Sequence, residues 1–246
     1  MLSISATIIT FNEADRIHET ISSLAFCEEI IVIDSYSTDE TVQVARAAGA
    51  RVTLRPWNSY SDQKNFAATQ ARHDWIFSVD ADERPSAELA AEIMRWKQEA
   101  EVSDVHGLSM PRRASYCGRW INHSGWYPDR KTRLYDKRFA QWEGEFVHER
   151  LLVEGDVKLL GGDLLHFPYR SVEDHHKRID KYTRLAADQA RHSGRHFNPA
   201  RLFIAPLFFF IKTLILQRGF LDGLAGLQIA FMGARYVFLK EFRILR

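Results

Sequence analysis

The chain has 246 residues, which is enough for one large α/β domain or for one domain with an appendage. Hydrophobic residues make up 46% of the sequence and aromatic residues 12%, and this composition excludes general disorder. The net charge of +1 conceals an uneven distribution, because residues 105–140 and 195–246 each carry eight Lys and Arg residues against two acidic residues. Two cysteines, Cys27 and Cys117, are too few for a disulfide framework or a cysteine metal site.

Predicted strands and helices alternate through the first eighty residues. The β-branched run Ile4–Thr10 predicts a central strand, and because no basic region or cleavage signal accompanies it, we expect a cytosolic protein. Alternation with short links is typical of a parallel sheet with right-handed crossovers. The elements predicted after the first strand are a helix ending near Leu24, a strand over Glu29–Ile33, a helix over Glu40–Ala48, a strand over Arg51–Leu54, a helix over Ser59–Ala71 and a strand over Trp75–Val79. The sequence has no three-glycine dinucleotide fingerprint and no phosphate-binding Gly-Lys-Ser/Thr loop, which argues against NAD enzymes and P-loop NTPases.

Two carboxylates one residue apart follow the fourth predicted strand. Ligands of open α/β sheets bind at the carboxyl ends of strands, so we expect Asp80 and Asp82 at the mouth of a crevice. Carboxylates this close repel each other unless a cation or hydrogen bonds keep both ionised, and Mg²⁺ or Mn²⁺ holding a diphosphate would serve. The alternative is a solvated turn or a cap of the helix that Pro85 and Ser86 open.

Four motifs together resemble the family 2 glycosyltransferases, which have the GT-A fold. The motifs are Thr10-Phe11-Asn12-Glu13, Val32-Ile33-Asp34-Ser35 with Thr38-Asp39, Gln63-Lys64-Asn65, and Asp80-Ala81-Asp82. Their order and spacing over the first ~85 residues make the resemblance more specific than any single motif. It implies that Asp34 contacts the uracil or ribose of a UDP-sugar, that Asp80 lies near the ribose and metal, and that Asp82 ligates a divalent metal, Mg²⁺ or Mn²⁺.

The residue chemistry agrees with a nucleotide site. An Asp at a strand end can accept the uracil N3–H, and Phe11 lies where an apolar side chain could pack on the base. Asn12 and Glu13 either contact the nucleotide or cap the following helix. Lys64 either places a cation beside the diphosphate or is a solvated helix residue.

The second half of the chain suggests an anionic sugar acceptor. Aromatic rings stack on sugars and Arg binds phosphates or carboxylates, so Trp126 and Arg133 are candidate acceptor contacts, and the nucleotide-sugar motifs make nucleic acid an unlikely partner. The resemblance implies that the triplet Val147-His148-Glu149 supplies the general base, with Glu149 as the base, Glu145 as the fallback, and His148 orienting the carboxylate, binding the acceptor or lying in the core. His166 is either a buried, hydrogen-bonded histidine or, as in several GT-A enzymes, a ligand that completes the metal shell.

The C-terminal region is predicted to be helical. Ser171 caps a helix running to about His192, and another helix starts at Asn198-Pro199. The apolar run Phe203–Leu216 is too short to span a bilayer, and Phe220–Leu239 is long enough but contains charged residues. With its positive charge, this region is expected to anchor to an anionic inner leaflet without spanning it; the alternative is a helical hairpin packed on the core or in a dimer interface.

We therefore expect an α/β protein of GT-A fold, with a Rossmann-like, mostly parallel central sheet flanked by helices and a C-terminal helical membrane-associating extension. Residues 1–170 would form the catalytic domain, with a nucleotide-binding half (1–100) and an acceptor half (101–170), and residues 171–246 the helical region. The resemblance is closest to the lipopolysaccharide inner-core β-glucosyltransferases acting on heptose. It implies an inverting, metal-dependent transfer from a UDP-hexose to an anionic glycolipid on the cytoplasmic face of the bacterial inner membrane. Another envelope glycan or a polyprenyl phosphate as acceptor, and a non-catalytic membrane scaffold, are the alternatives.

Overall fold

The structure is a computed structural model, and it describes residues 2–99, 104–144 and 149–245. The chain divides into two compact units, the first made of Met1–Arg112 and Asp129–His166 and the second of Arg113–Pro128 and Phe167–Arg246. Residues 113–128, which the sequence analysis assigns to the acceptor half of the catalytic domain, thus cluster with the C-terminal helices.

The first unit is built on the predicted parallel sheet. Strands β1 (Ile4–Thr10), β2 (Glu29–Asp34), β3 (Arg51–Leu54) and β4 (Trp75–Asp80) lie in the order β3-β2-β1-β4, and all their pairings are parallel. Strand β8 (Asp129–Asp136) pairs antiparallel with β4 and extends the sheet through β6 (Val105–Tyr116). The sheet ends in β12 (Leu164–His166) and β5 (Glu83–Pro85), while β11 (Asp156–Leu159) pairs with β6. A separate antiparallel pair joins β9 (Ala140–Glu143) to β10 (Arg150–Val153).

Helices cover both faces of this sheet. The helices are α1 (Ile17–Ser23), α2 (Thr41–Ala47), α3 (Tyr60–Gln70) and α4 (Ala87–Glu99). Helices α1, α2 and α4 pack with one side of β1 and β4 in a core that includes Ile8, Phe77 and Leu89. Helix α3 packs on the other side with residues such as Ile33 and Ile76. The alternate side chains of each strand therefore enter separate cores, which explains why the strands are apolar on both faces.

The helix expected to open at Pro85 and Ser86 is confirmed, because α4 begins at Ala87, but the short strand β5 between the Asp-x-Asp pair and α4, which pairs with β12, was not predicted. One of the alternatives left open for Asn12 and Glu13 is excluded. Asn12 and Glu13 do not cap α1, which starts at Ile17 after an N-cap residue, Arg16, that makes no side-chain cap hydrogen bond. The chain instead turns sharply after β1, with Asn12 in the left-handed region at φ 55°.

The second unit joins the turn-rich segment 113–128 to three helices. Strand β7 (Arg119–Trp120) forms a tight hairpin with the end of β6, and the helices are α5 (Val172–His192), α6 (Pro199–Ile211) and α7 (Leu224–Ile244). The buried carboxylate of Asp222 accepts hydrogen bonds from the backbone N–H groups of Asn122 and His123 and from the Ser124 hydroxyl. Asp222 thereby ties the segment 113–128 to the turn that precedes α7.

Helix α6 is longer than the sequence analysis expected. It continues through a π-helical turn (Lys212–Leu216), and the 18 residues Pro199–Leu216 are long and apolar enough, by length and composition, to cross a membrane. At 1.5 Å per residue they extend about 27 Å, close to the thickness of a bilayer core. Only 11% of these residues are buried within the protein. By length and composition alone, the stretch Pro199–Leu216 is thus a candidate membrane span that the sequence analysis, which considered only Phe203–Leu216, did not consider.

Candidate functional site

The loops after β1 and β2 form the first part of the site. Thr10 and Asp34 are paired in the register of these neighbouring parallel strands, so both loops leave the same edge of the sheet. The Asn12 N–H donates to the Ser37 hydroxyl oxygen at 2.8 Å, and the Asn12 side-chain oxygen accepts from the Thr38 N–H at 2.8 Å. Asn12 therefore ties the two loops together, a role that the cap interpretation missed.

Asp34 is fully buried beneath the loop that follows it. Its Oδ1 accepts from the Ser37 N–H at 2.8 Å and its Oδ2 accepts from the Ser37 hydroxyl at 2.5 Å. A carboxylate oxygen has two lone pairs, so each still has capacity for another donor. A nucleotide could use that capacity only if the loop opened, whereas Phe11, half exposed at the end of β1, is accessible as it stands.

A chain of alternating charges runs through the centre of the first unit. The Lys64 ammonium lies 3.1 Å from Asp80 Oδ1 and 2.6 Å from Glu149 Oε1, and 4.4 Å from the centre of the Trp142 ring. On the other side of Asp80, the Arg133 guanidinium lies 2.7 Å from Asp80 Oδ2. Lys64 is 1% exposed and Arg133 is 3% exposed, so both cations are buried, whereas the side chains of Asp80 and Glu149 are partly exposed.

The chain of charges continues through two residues that the sequence analysis did not select. Glu83 is fully buried and accepts from Arg133 at 2.7 Å and from Arg112 at 3.0 Å. Arg112 in turn pairs with Asp129 at 2.6 Å. The signal available in the sequence was the acidic residue directly after Asp-x-Asp, together with arginines on two later strands. Glu83 orients Arg133, and Arg133 orients Asp80.

The electrostatics favour an ionised Asp80. Burial by itself would raise the pKa of Asp80, but the positive charges of Arg133 and Lys64 outweigh burial and hold that pKa well below its usual range. The same pairing acts on the cation: burial would lower the pKa of Arg133, whereas Asp80 and Glu83 raise it. The ion pairs therefore favour the charged form of both groups.

Glu149 has the features of a proton acceptor. One of its carboxylate oxygens pairs with Lys64, and the other, Oε2, is buried and has no hydrogen-bond partner among the residues that the structure describes. A buried acceptor without a partner is costly unless something occupies it in function. The lone pairs of Oε2 are unused, and an acceptor hydroxyl would reach them only after a local opening. The fallback base, Glu145, lies outside the described residues.

Asp82 and His166 lie side by side. The turn carrying Asp82 precedes β5, β5 pairs with β12, and this pairing brings the His166 Nε2 within 3.6 Å of the Asp82 Oδ2. A carboxylate together with an imidazole suits Mn²⁺, whereas Mg²⁺ prefers oxygen ligands and would be suited by the carboxylate. Within residues 2–99, 104–144 and 149–245 no cluster of three or more His, Cys, Asp or Glu side chains could hold a metal. The two residues could supply a carboxylate oxygen and an imidazole nitrogen to a divalent cation, which would need its remaining ligands from other molecules.

Of the other candidate residues, two are buried in ion pairs, one lies in the second unit and one lies outside the described residues. Lys64, predicted to meet the diphosphate, is enclosed by two carboxylates. Arg133, predicted to contact the acceptor, is buried in ion pairs, so it can position Asp80 but is not open to an acceptor. Trp126 belongs to the second unit, where its ring packs edge-on against Tyr116 at 5.9 Å. His148 lies outside the described residues.

Comparison with known proteins identifies a family. Residues 5–151 match the family model described as glycosyl transferase family 2. An uncharacterized glycosyltransferase of Rickettsia typhi is 30% identical and aligns with 100% of this chain and 88% of its own. The lipopolysaccharide core biosynthesis glycosyltransferase LpsC of Rhizobium meliloti is 32% identical, and the alignment covers 99% of this chain and 92% of LpsC.

Similarity to solved structures is lower. Glucosyl-3-phosphoglycerate synthase from Mycobacterium tuberculosis, in complex with Mn²⁺, UDP and phosphoglyceric acid, is 23% identical, and the two chains align with a TM-score of 0.39. The alignment covers 44% of this chain and 43% of the synthase. A similarity at this level supports no statement about the ligands of this chain.

Proposed function

Because the chain belongs to glycosyltransferase family 2, with the mixed α/β sheet of the GT-A fold, we propose that it transfers a hexose, glucose from UDP-glucose, to a heptose of the lipopolysaccharide inner core. The observation that carries the proposal is the shared ammonium of Lys64. It holds Asp80, at the end of β4, and Glu149, from the second half of the chain, within 3.1 Å and 2.6 Å of one nitrogen. A donor-side carboxylate and a base for the acceptor thus meet at one point.

The reaction we propose is a single displacement. Glu149 Oε2 accepts the proton of the acceptor hydroxyl while the hydroxyl oxygen forms a bond to the anomeric carbon, and the bond from that carbon to the UDP oxygen breaks on the opposite face. The configuration at the anomeric carbon inverts because there is one displacement and no covalent intermediate. Lys64 keeps Glu149 in place beside the donor site.

Asp82 and His166 are the residues that would hold a divalent cation. When bound, Mg²⁺ or Mn²⁺ would neutralise negative charge on the leaving diphosphate. Arg133 fixes the orientation of Asp80 and keeps it ionised, and Glu83 holds Arg133 in place. In the donor site, Phe11 would pack on the uracil, and Asn12, Glu13 and Asp34 would shape the pocket around the base and ribose.

The acceptor assignment is supported by the relative and by charge. LpsC is named for lipopolysaccharide core biosynthesis, and it aligns with nearly the whole of this chain. Lipopolysaccharide core is anionic, and residues 105–140 carry eight Lys and Arg residues against two acidic residues. Trp126 and His148 stay candidates for contact with the acceptor sugar.

We also propose that the second unit binds the cytoplasmic face of the inner membrane without spanning it. Apolar side chains that are more than half exposed recur along α6 and into α7, and Arg and Lys residues of the same helices can meet anionic lipid headgroups. An exposed apolar surface of this extent marks an interaction site. These exposed side chains include Phe203, Ile204, Leu207, Phe208, Leu216, Leu224 and Phe231.

The test is sugar transfer with defined substrates. The purified protein is incubated with UDP-glucose, Mn²⁺ and lipopolysaccharide truncated after the inner-core heptose, and the product linkage is read by NMR. We expect one added β-linked glucose, the inverted configuration. If the protein transfers glucose only to another envelope glycan or only to polyprenyl phosphate, the assignment of heptose as the acceptor is wrong. If it transfers no sugar from any nucleotide sugar, the non-catalytic membrane scaffold is favoured.

A further inference from the structure

Three neighbouring strands of the first unit are each followed by an exposed aromatic residue. Strands β3, β2 and β1 are adjacent and parallel, so their carboxyl ends lie along one edge of the sheet. Phe11 follows β1 and is 53% exposed, Tyr36 follows β2 and is 54% exposed, and Trp57 follows β3 and is 48% exposed. Large aromatic side chains on a rigid edge are suited to contact a planar ring.

Tyr36, the middle residue of this aromatic row, has a strained backbone. Its φ of 62° is in the left-handed region, which is uncommon for a bulky residue. Because the side chain is exposed, packing does not offset the strain. The conformation is fixed from both sides, since the Ser37 N–H and hydroxyl both donate to Asp34, and the Asn12 N–H donates to Ser37.

Three of the other left-handed non-glycine residues have local explanations, and the fourth, Arg218 at φ 54°, lies in the second unit and not in the unit that holds the candidate donor site. Asn tolerates this region, which accounts for Asn12. Cys117 and Gly118 are the two central residues of the tight β6–β7 turn, where both φ values are positive. Ser124 has a hydroxyl that donates to buried Asp222. Tyr36 combines strain with exposure at the candidate donor site, and strain of this kind points to function.

We propose that Tyr36 is a nucleobase-contacting residue, and that the loop after β2 holds its ring in place to pack against the base of the nucleoside diphosphate. The inference rests on the proposed function, because it assumes a nucleotide at this edge of the sheet. The structure keeps a strained tyrosine at this position because the ring contributes to binding more than the backbone conformation costs.

Two substitutions separate the ring from the strain. Tyr36→Asn removes the ring and places at φ 62° a residue that tolerates it, whereas Tyr36→Phe keeps both the ring and the strain. Cys117→Asn is the matched control, because it makes the same kind of change at another left-handed position in the second unit. For each variant we would measure UDP affinity by calorimetry with Mn²⁺ and the midpoint of thermal unfolding.

We expect Tyr36→Asn to weaken UDP binding about 5- to 150-fold, the loss typical of one stacking contact, while its unfolding midpoint stays the same or rises. Tyr36→Phe and Cys117→Asn should bind UDP like the wild type. Unchanged affinity in Tyr36→Asn, equal losses in Tyr36→Asn and Tyr36→Phe, or a lowered unfolding midpoint in Tyr36→Asn would overturn the inference and leave the proposed function standing. A wild-type protein that binds no UDP would overturn both.

Discussion

Replacing Lys64 by methionine tests the centre of the site most severely. Methionine has nearly the length of the lysine side chain but no charge, so the change removes one ammonium and leaves two carboxylates. Asp80 Oδ1 and Glu149 Oε1 both lie close to that ammonium, and their distances of 3.1 Å and 2.6 Å mean that they are at most about 5.7 Å apart. With an effective dielectric constant of about 20, two charges at this separation repel by about 3 kcal/mol.

The expected loss of stability follows from this repulsion and from the broken pairs. Removing one partner of a buried ion pair costs about 3–5 kcal/mol, so we expect the free energy of unfolding of Lys64→Met to fall by about that amount at pH 8. The control is Lys97→Met, because Lys97 is also buried but, among the residues that the structure describes, pairs with a single carboxylate, Glu28, whose side chain is 39% exposed. Water can solvate Glu28 when its partner is lost, so the control should lose less.

The loss of stability in Lys64→Met should depend on pH in a definite direction. The pKa of Asp80 is lowered in the folded protein, so its contribution to stability is present above its unfolded pKa and is lost as the pH falls. Without Lys64 the pKa of Asp80 is lowered less, so the variant has less of this contribution to lose. The difference between wild type and Lys64→Met should therefore narrow below about pH 4, the ordinary pKa of Asp.

The assay is urea unfolding followed by tryptophan fluorescence at pH 8, 6 and 4. A loss under about 1 kcal/mol at pH 8, or a loss equal to that of Lys97→Met, would refute the idea that the buried Lys64 holds two partly buried carboxylates together. A difference that stays constant with pH would refute the electrostatic explanation.

Three further changes test separate parts of the proposal. Glu149→Gln should lower kcat by about 10²–10⁴ and leave UDP affinity intact, while a mild effect there and a severe one in Glu145→Gln would move the base to Glu145. His166→Ala should weaken Mn²⁺-dependent UDP binding by about 10- to 100-fold with little change in metal-free binding, and equal losses with and without Mn²⁺ would exclude a metal ligand. Phe208→Glu should reduce co-sedimentation with vesicles of anionic lipid without lowering the unfolding midpoint, since the Phe208 side chain is 60% exposed. The polar control Gln217→Glu should bind the vesicles as before. Unchanged vesicle binding of Phe208→Glu would show that Phe208 does not contact the membrane.

Hydrophobic pattern and motif spacing predicted the parallel part of the fold well. The boundaries of β1 and β3 agree with the predicted Ile4–Thr10 and Arg51–Leu54, because β-branched runs between turn residues leave little choice of element. The three-residue strand β5 was missed because its formation depends on pairing with β12, some eighty residues later. A contact of that range leaves no periodicity in the local sequence.

The candidate site could be predicted only in part, for a similar reason. Asp80 and Asp82 stand out because two carboxylates follow a buried strand. The roles of Lys64 and Arg133 depend on which charges the fold brings near them, and sequence spacing does not contain that information. The strain at Tyr36 is a backbone property, and no pattern of residue types reveals it.

The most direct measurement of the central claim is calorimetric titration of UDP into the purified protein, with and without Mn²⁺. The account predicts UDP binding that depends on the metal, is weak for GDP and CDP, and is lost in Asp82→Asn while that variant remains folded. No binding of any nucleotide would contradict the claim that this edge of the sheet is a donor site. Binding that is unchanged in Asp82→Asn would contradict the role given to Asp82 and His166.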